Sequence, residues 1–354
     1  MKYSVIDISS SSLSLIIAQT EADKTEIIFK DRVSLSLLHY LEAKKLSERG
    51  IEKLIETLHT MKDECSGFGV RYCYLISTAA MRYIENCDEV SKIVTERTGL
   101  PVNFLDGNTE AFCDYVANLY YASYERPVLI DLGGKSLEIC DLSKNDKKDM
   151  LCLDFGLLDL HRKFIKKIQP SEREAKEIKK YVTDKFDKAD LPKKETYATA
   201  VMVGATNRAI YDIYAEYTDA KSEDGVKTIR YKKFKKLVEY LLSDADRSAL
   251  ILKYAPEKLY LLGPAAIVLK ALFKRFDLDN IVVSDRGVKE GYLELILAGK
   301  EKGAYFDFET GQQGGERHDS KPRRPKSKPK ENKNSEKKSD DTEKKAVKKQ
   351  AAKD

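Results

Sequence analysis

The chain has 354 residues, of which 42% are hydrophobic and 34% are charged. This composition excludes a fully disordered chain, and the length is typical of about two domains with a large core. Of the 63 Lys and Arg and the 58 Asp and Glu, residues 311–354 carry 15 and 8, which leaves 48 and 50 for residues 1–310. The excess positive charge therefore belongs to the C-terminal segment and does not indicate a nucleic-acid groove elsewhere.

Targeting signals and zinc sites are not expected. No stretch approaches the ~18 to 20 consecutive apolar residues of a membrane span, and residues 1–7 lack the pattern of a signal peptide. We therefore expect a cytoplasmic protein with no membrane partner. The six cysteines include no CxxC pair and the four histidines do not cluster, so reduced core thiols are expected and any divalent metal would have oxygen ligands.

Residues 1–124 alternate strand and helix patterns. Strands are predicted at residues 3–7, 13–18, 26–33, 71–77 and 102–105. A helix is predicted after the N-cap Ser47, because apolar residues recur at helical spacing from Ile51 to Met61. Further helices are predicted at residues 89–97 and 109–121. The order of elements is βββαβαβα.

A similar pattern restarts after residue 124. Strands are predicted at residues 127–131, 137–141, 150–154, 199–204, 258–262 and 280–284. Helices are predicted from Leu157, from Ser171 with the capping box Ser171–Glu174, and from Asn207. More than one helix is predicted between Tyr231 and Leu252, and single helices are predicted at residues 265–273 and 288–297. Two similar units in tandem predict an α/β fold with two domains, residues 1–124 and 125–286.

Residues 311–354 lack this periodicity. Val347 is their only large apolar residue, and Lys, Pro, Ser and Glu predominate. Such a segment cannot bury enough surface to offset its ordering entropy, so we predict a disordered tail. The tail is either a solubilising appendage or an electrostatic arm for RNA or another anionic polymer, whose affinity would fall with salt.

Two turns of small residues each follow a predicted strand that ends in aspartate. They run from Asp7 to Ser12 and from Asp131 to Ser136. Such turns direct backbone N–H groups and hydroxyls to one point, which suits a phosphate, and the aspartate can hold a metal or its water. One such turn is usually a simple hairpin, but two at equivalent places predict one site across a cleft. The second turn is not a Walker P-loop, because that motif requires glycine at Leu129.

Six short segments contain these turns and most of the remaining candidate residues. They are residues 7–12 (DISSSS), 77–82 (STAAMR), 106–111 (DGNTEA), 131–138 (DLGGKSLE), 204–206 (GAT) and 284–291 (SDRGVKEG). In order and spacing they resemble the motifs of the Ppx/GppA family of exopolyphosphatases and guanosine pentaphosphate phosphatases, within the actin, Hsp70 and sugar-kinase superfamily. The resemblance spans residues 3 to about 298. It implies two actin-like, ribonuclease H-like βββαβαβα domains flanking a cleft, with the last helix, 287–299, packed on the first.

The resemblance also implies roles for individual residues. Glu110 is expected to act as general base on water, and Asp131, Glu138 and Asp7 are expected to bind Mg²⁺ or Mn²⁺. The expected phosphate contacts are Ser9, Ser10, Ser11, Ser12, Arg82, Gly133, Gly134, Lys135, Ser136, Gly204 and Thr206. Hydrolysis of a phosphoanhydride requires such parts, because charge must be neutralised and water must be oriented. Without the resemblance, Glu110 is more simply interpreted as an acid at a helix N-terminus.

The turns depart from the family pattern at phosphate-binding positions, namely Ser9, Ser11, Lys135, Leu137 and Ala205. If Ser9 or Lys135 has a positive φ, the turn is strained and a phosphate lies farther away. Alternatively, Lys135 adds a cation to the site. In the first case Lys135→Gly should raise turnover, and in the second it should weaken binding of a long polyanion.

The resemblance therefore implies a Mg²⁺-dependent hydrolase that releases terminal phosphate from inorganic polyphosphate or guanosine pentaphosphate. The alternative is a weakly active or inactive regulatory protein that binds polyphosphate or guanosine penta- or tetraphosphate. An ATP-dependent kinase of the same superfamily is disfavoured by the GxxEA-type and SDRG segments. The sequence leaves open whether the chain forms a homodimer.

Overall fold

Two mixed β-sheets organise the computed structural model, which describes residues 1–316 except 10–11, 22–23, 36, 79–80, 82–83, 145–149, 194–195, 223–224 and 244–246. A separate hairpin consists of β4 (Leu41–Glu42) and β5 (Lys45–Leu46). The first sheet contains β1 (Lys2–Ile8), β2 (Leu13–Glu21), β3 (Lys24–Val33), β6 (Tyr72–Ser77), β7 (Val102–Phe104), β14 (Tyr305–Asp307) and β15 (Gln312–Gly314). The second sheet contains β8 (Pro127–Leu132), β9 (Leu137–Asp141), β10 (Leu151–Leu153), β11 (Thr199–Val203), β12 (Lys227–Arg230) and β13 (Asn280–Val283).

Amphipathic helices cover these sheets. They are α1 (Glu48–Gly67), α2 (Cys87–Thr98), α3 (Gly107–Ala117), α4 (Leu157–Phe164), α5 (Glu172–Lys188), α6 (Ala205–Thr218), α7 (Tyr231–Leu241), α8 (Arg247–Tyr254), α9 (Leu262–Phe276) and α10 (Val288–Leu297). The predicted caps are confirmed. Ser47 accepts a hydrogen bond from the Gly50 N–H, and Ser171 and Glu174 form the reciprocal capping box of α5.

The two sheets share one strand order. In the first sheet β3, β2, β1, β6 and β7 are neighbours in that order, and in the second β10, β9, β8, β11 and β13 are. The central strands β1 and β8 are each antiparallel to the next strand in sequence and parallel to β6 and β11, respectively. Because the carboxyl ends of parallel strands meet at one edge, Asp7 and Asp131 lie at equivalent places in the two sheets.

The predicted strand at residues 258–262 is wrong. Residues 256–258 form a 3₁₀ turn, and α9 begins at Leu262. Leu261 and Leu262 are buried in the core of the second sheet. A short apolar run of this kind is compatible with a buried strand or a buried helix start, and here the adjoining Pro264 is tolerated in the first helical turn.

The predicted disordered tail begins too early. Residues 312–314 form β15, which pairs with β14, and Phe306 of β14 pairs with Cys73 of β6. The Phe306 ring is buried against the first sheet and stabilises this hairpin. The polar residues around Phe306 give no hydrophobic pattern from which the hairpin could be predicted. Residues 317–354 lie outside the described part of the chain, and the domain boundaries at residues 124 and 286 stay predictions.

The last helix joins the two sequence halves. Tyr292 of α10 lies with Val5, Ile16 and Tyr74 of the first sheet in one buried cluster. The Arg286 guanidinium, just before α10, donates a hydrogen bond to the Ala117 carbonyl at the end of α3, with a distance of 2.9 Å. This packing places the segment before α10 beside β1 and α3. In the described residues, no helix is long and apolar enough to cross a membrane.

Candidate active site

A cavity of about 580 Å³ lies where the ends of β1 and β8 face each other. Most of the predicted site residues line it, and both sheets contribute. They are Asp7, Ser9, Ser12, Glu110, Asp131, Gly133, Gly134, Ser136, Gly204 and Thr206. The structure therefore brings together residues that are nearly 200 positions apart in sequence.

The other predicted site residues do not line the cavity or cannot be placed. Glu138 pairs with Asp131 across β8 and β9 and is 1% exposed, with its Oε1 accepting a hydrogen bond from the Cys152 thiol at 3.3 Å. Lys135 lies on the second turn, but its side chain pairs with Asp159 and does not line the cavity. Ser10, Ser11 and Arg82 fall outside the described residues.

The first turn is closed by serine. The Ser9 N–H donates to the Ser12 carbonyl at 3.0 Å, and the Ser9 hydroxyl donates to the same carbonyl at 2.9 Å. The Thr78 hydroxyl at the end of β6 donates to Asp7 Oδ1 at 3.3 Å. These bonds fix the ends of the turn against β1 and β6, and leave Ser9 and Ser12 on the cavity wall.

The second turn is closed by the equivalent bond, from the Gly133 N–H to the Ser136 carbonyl at 3.0 Å. Neither Ser9 nor Lys135 has a positive φ, so the strain that would follow from these two substitutions does not arise. The third turn does require glycine. Gly204 has φ 87°, and a Cβ there would clash with Asp131 Oδ1, so glycine lets this turn approach the carboxylate closely.

The idea that Lys135 adds a cation to the site is not supported by the structure. The Lys135 Nζ lies 2.5 Å from Asp159 Oδ1, on the first turn of α4, and among the described residues Lys135 is absent from the cavity lining. The ammonium group is thus held by a carboxylate outside the cavity. Neither reason for the predicted effects of Lys135→Gly therefore holds.

Glu110 stands on the first turn of α3, whose N-cap Asp106 accepts a hydrogen bond from the Thr109 N–H at 2.7 Å. The cap begins the helix so that Glu110, 7% exposed, faces the cavity between the two turns. Burial raises the pKa of Asp7 to about 7, and burial together with the Glu110 charge raises the pKa of Asp131 to about 7. The carboxylates thus share one poorly hydrated space.

A further buried carboxyl group, which was not predicted from the sequence, lies beside Glu110 and Asp131. Asp114 lies one helical turn after Glu110 and is 1% exposed. Burial and the charge of Asp131 raise the pKa of Asp114 well above its usual value, and Asp114 hydrogen-bonds Asp131. Asp114 therefore lies against Asp131 within the same buried group of carboxyls. The sequence signal was the i, i+4 spacing from Glu110.

Cations balance the carboxylates. Five line the cavity in the described structure, namely Lys30, Arg32, Arg208, Lys258 and Lys289. Lys258 is 2% exposed and donates to the Thr206 hydroxyl at 3.4 Å, and Lys289 donates to the Ser14 hydroxyl at 2.8 Å. Burial, with Arg32 nearby, lowers the pKa of Lys258 to about 7. None of these five was predicted as a site residue.

The carboxylates that line the cavity suit a divalent metal that keeps several water ligands. Among the described residues, no three His, Cys, Asp or Glu side chains are arranged to hold a metal ion. Mg²⁺, however, needs only one or two carboxylates when waters and substrate phosphates complete its shell. Asp7 and Asp131 meet that requirement, because both line the cavity and burial disfavours their charge in the absence of a cation. Glu138, the cross-strand partner of Asp131, does not line the cavity.

Comparisons with known proteins agree with this architecture. A family model described as the Ppx/GppA phosphatase family matches residues 16–298. The chain is 25% identical over 177 residues to exopolyphosphatase 1 of Mycobacterium tuberculosis, a match that covers 49% of this chain and 52% of that protein. The chain thus spans about half the length of that curated relative.

Solved structures give the wider likeness. The crystal structure of the Ppx/GppA family member of Aquifex aeolicus is similar with a TM-score of 0.70 and 25% identity, covering 85% of this chain and 99% of that one. An exopolyphosphatase from Cytophaga hutchinsonii is similar in fold, with a TM-score of 0.76, 16% identity and the same coverage. These likenesses confirm the predicted actin-like α/β fold class. With a family model matched over most of its length, the chain belongs to the Ppx/GppA phosphatase family.

Proposed function

We propose that this protein hydrolyses the terminal phosphoanhydride bond of inorganic polyphosphate or guanosine pentaphosphate. The observation that carries the proposal is the position of Glu110. It is a buried carboxylate that lines one cavity together with two phosphate-type turns and five cations. A cavity for binding alone would need the cations and the turns, but not a buried base between them.

The terminal phosphoryl group would lie between Ser12 of the first turn and Gly134 of the second. Lys258 and Arg208 would neutralise its charge from the second sheet, and Lys289 from the start of α10. A water oxygen then forms a bond to the terminal phosphorus while the bond to the bridging oxygen breaks. Glu110 takes the proton that the water loses, and the bridging oxygen leaves with the shortened chain.

Mg²⁺ would be held by Asp7 and Asp131, with Mn²⁺ as the alternative. When bound, the ion supplies positive charge to the phosphate oxygens. The support for this assignment is the mutual proximity of buried carboxylates, whose charge repulsion a dication would relieve. Asp114 lies against Asp131 within the same buried group.

Phosphate release from the purified full chain tests the proposal. Polyphosphate, guanosine pentaphosphate and ATP are assayed side by side, with Mg²⁺ and with a chelator. We expect release from polyphosphate or guanosine pentaphosphate that depends on Mg²⁺, with at most background release from ATP. Tight binding of both polyanions with no release would instead identify a binding protein, and preferential use of ATP would favour the kinase class.

A further inference from the structure

The start of α4 holds the second phosphate turn. The Leu157 N–H donates to the Gly133 carbonyl at 3.0 Å, and the Leu158 N–H donates to the Gly134 carbonyl at 2.9 Å. These N–H groups belong to the first helical turn, where no intrahelical partner exists. Gly156, just before the helix, lies so close to the peptide between Gly134 and Lys135 that any Cβ there would clash.

This contact fixes which way the turn's N–H groups face. In a trans peptide the carbonyl of one residue and the N–H of the next point in opposite directions, and the structure contains no cis peptide among its described residues. Because the carbonyls of Gly133 and Gly134 point at α4, the N–H groups of Gly134 and Lys135 point away from it. The turn has α4 on one side and the cavity on the other.

Lys135 adds a side-chain bond to the same contact. Its ammonium group lies 2.5 Å from Asp159 Oδ1 on α4, with the two side chains 17% and 39% exposed. The pair therefore joins the middle of the phosphate turn to the helix that receives the carbonyls of that turn. An ion pair this sheltered is screened less than one at the open surface.

We propose that Lys135 is a positioning residue, which with Asp159 clamps the second turn to α4 and so aims the N–H groups of Gly134 and Lys135 at the bound phosphate. Its ammonium group does not contact the substrate. The inference rests on the proposed phosphatase function for its kinetic consequence, although the clamp itself is independent of turnover. A residue that replaces a family glycine has thus become a support for the turn.

The test uses the full chain with Lys135→Met, Asp159→Asn and the double variant. Lys135→Arg is the conservative variant, and Lys176→Met, which loses an exposed ion pair on α5, is the matched control. Three quantities are measured, namely KM and kcat for phosphate release, the Kd of tripolyphosphate with Mg²⁺, and amide hydrogen exchange in residues 132–137. Binding and exchange remain informative if the wild-type chain shows no hydrolysis, which would contradict the proposed function alone.

We expect each single variant to raise KM and Kd about 3- to 10-fold with a smaller change in kcat, the size expected of one partly sheltered ion pair. The double variant should add little to either single one, because both remove the same bond. Exchange in the turn should increase, and Lys135→Arg and Lys176→Met should resemble the wild type.

Three results would overturn the clamp. Tighter tripolyphosphate binding in Asp159→Asn would mean that a released Lys135 contacts the ligand directly. Unchanged Kd and unchanged exchange in both single variants would mean that the ion pair does not hold the turn. Equal loss in the control Lys176→Met would likewise remove the specific role of Lys135.

Discussion

The two phosphate turns of the molecule are closed in the same way and differ in the contacts that stabilise them. Each follows the central strand of its sheet, begins at an aspartate with a pKa raised to about 7, and is closed by an N–H to carbonyl bond of 3.0 Å. The first turn is reinforced by its own Ser9 hydroxyl and by Thr78. The second is reinforced by α4, through Leu157 and the pair formed by Lys135 and Asp159.

The difference shows what the turn geometry depends on. The closing bond follows from the antiparallel pairing of β1 with β2 and of β8 with β9, which returns the chain at the same place in both sheets. Neither Ser9 nor Lys135 needs a positive φ, so these turns tolerate side chains where the family pattern has glycine. Each side chain makes its own local contact instead, Ser9 with the Ser12 carbonyl and Lys135 with Asp159.

Glu110→Gln is the change with the largest expected effect, because Glu110 serves both turns at once. The amide keeps the size of the side chain but cannot accept a proton. Turnover should therefore fall about 10²- to 10⁴-fold with little change in KM. Steady-state phosphate release measures this, and Glu96→Gln on the exposed face of α2 is the control. Near-normal turnover in Glu110→Gln would remove Glu110 from the role of base.

The aspartates test whether the two turns contribute equally to metal binding. Asp7→Asn and Asp131→Asn should each raise the Mg²⁺ concentration for half-maximal activity about tenfold or more, since each removes a charged oxygen from the cavity. Glu138→Gln should have a smaller effect, because Glu138 does not line the cavity. Asp187→Asn, which breaks an ion pair with Arg275 outside the cavity, is the control. A larger effect from Glu138→Gln than from Asp131→Asn would contradict this ordering.

Lys258 should make phosphate binding in the cavity depend on pH. Its pKa is lowered to about 7, so the ammonium loses its proton, and its attraction for phosphate, as the pH rises above 7. KM for a polyanion should rise by up to about tenfold per pH unit above that point. Lys258→Arg keeps its charge and should flatten the profile, whereas the exposed Lys253→Arg should not. A wild-type KM that stays constant from pH 7 to 9 would contradict this.

Truncation of the chain should have the smallest effect on the turns, because β15 touches neither. Ending the chain after Glu316 should leave hydrolysis of short substrates unchanged. Ending it after Thr310 removes β15 and should lower the free energy of unfolding by about 1 to 2 kcal/mol, again with normal kcat. Thermal unfolding and phosphate release on both truncated chains measure this. A loss of kcat in either chain would connect the C-terminal segment to the site.

The sequence predicts the elements whose periodicity is strong and local. The strands β1 and β8, the caps at Ser47 and Ser171, and the turn residues all follow from patterns within a few positions. Lys258 was assigned to a strand because its neighbours are apolar, and that run begins a helix instead. No local pattern indicates that Lys258, in the 3₁₀ turn before α9, lies near Arg32 of β3, because their proximity depends on how the two sheets face each other.

Packing across the fold also explains why some predicted site residues do not line the cavity. Glu138 and Lys135 belong to the right segment, but Glu138 is buried beside Asp131 and Lys135 is paired with Asp159, and neither side chain lines the cavity. Asp114 was missed because a buried carboxyl on a helix is recognised only when its partner Asp131 is known. The order and spacing of the motifs therefore predicted which segments form the site. Which side chains line the cavity depends on tertiary packing.

The structure of Glu110→Gln crystallised with tripolyphosphate and Mg²⁺ tests most directly whether the two turns form one phosphate site. A variant without its base should retain the ligand long enough to be observed. We expect one terminal phosphoryl group within hydrogen-bond distance of both turns, at Ser12 and at Gly134, with Lys135 still paired to Asp159. A phosphoryl group that contacts one turn only, or that lies outside the cavity, would contradict the shared site.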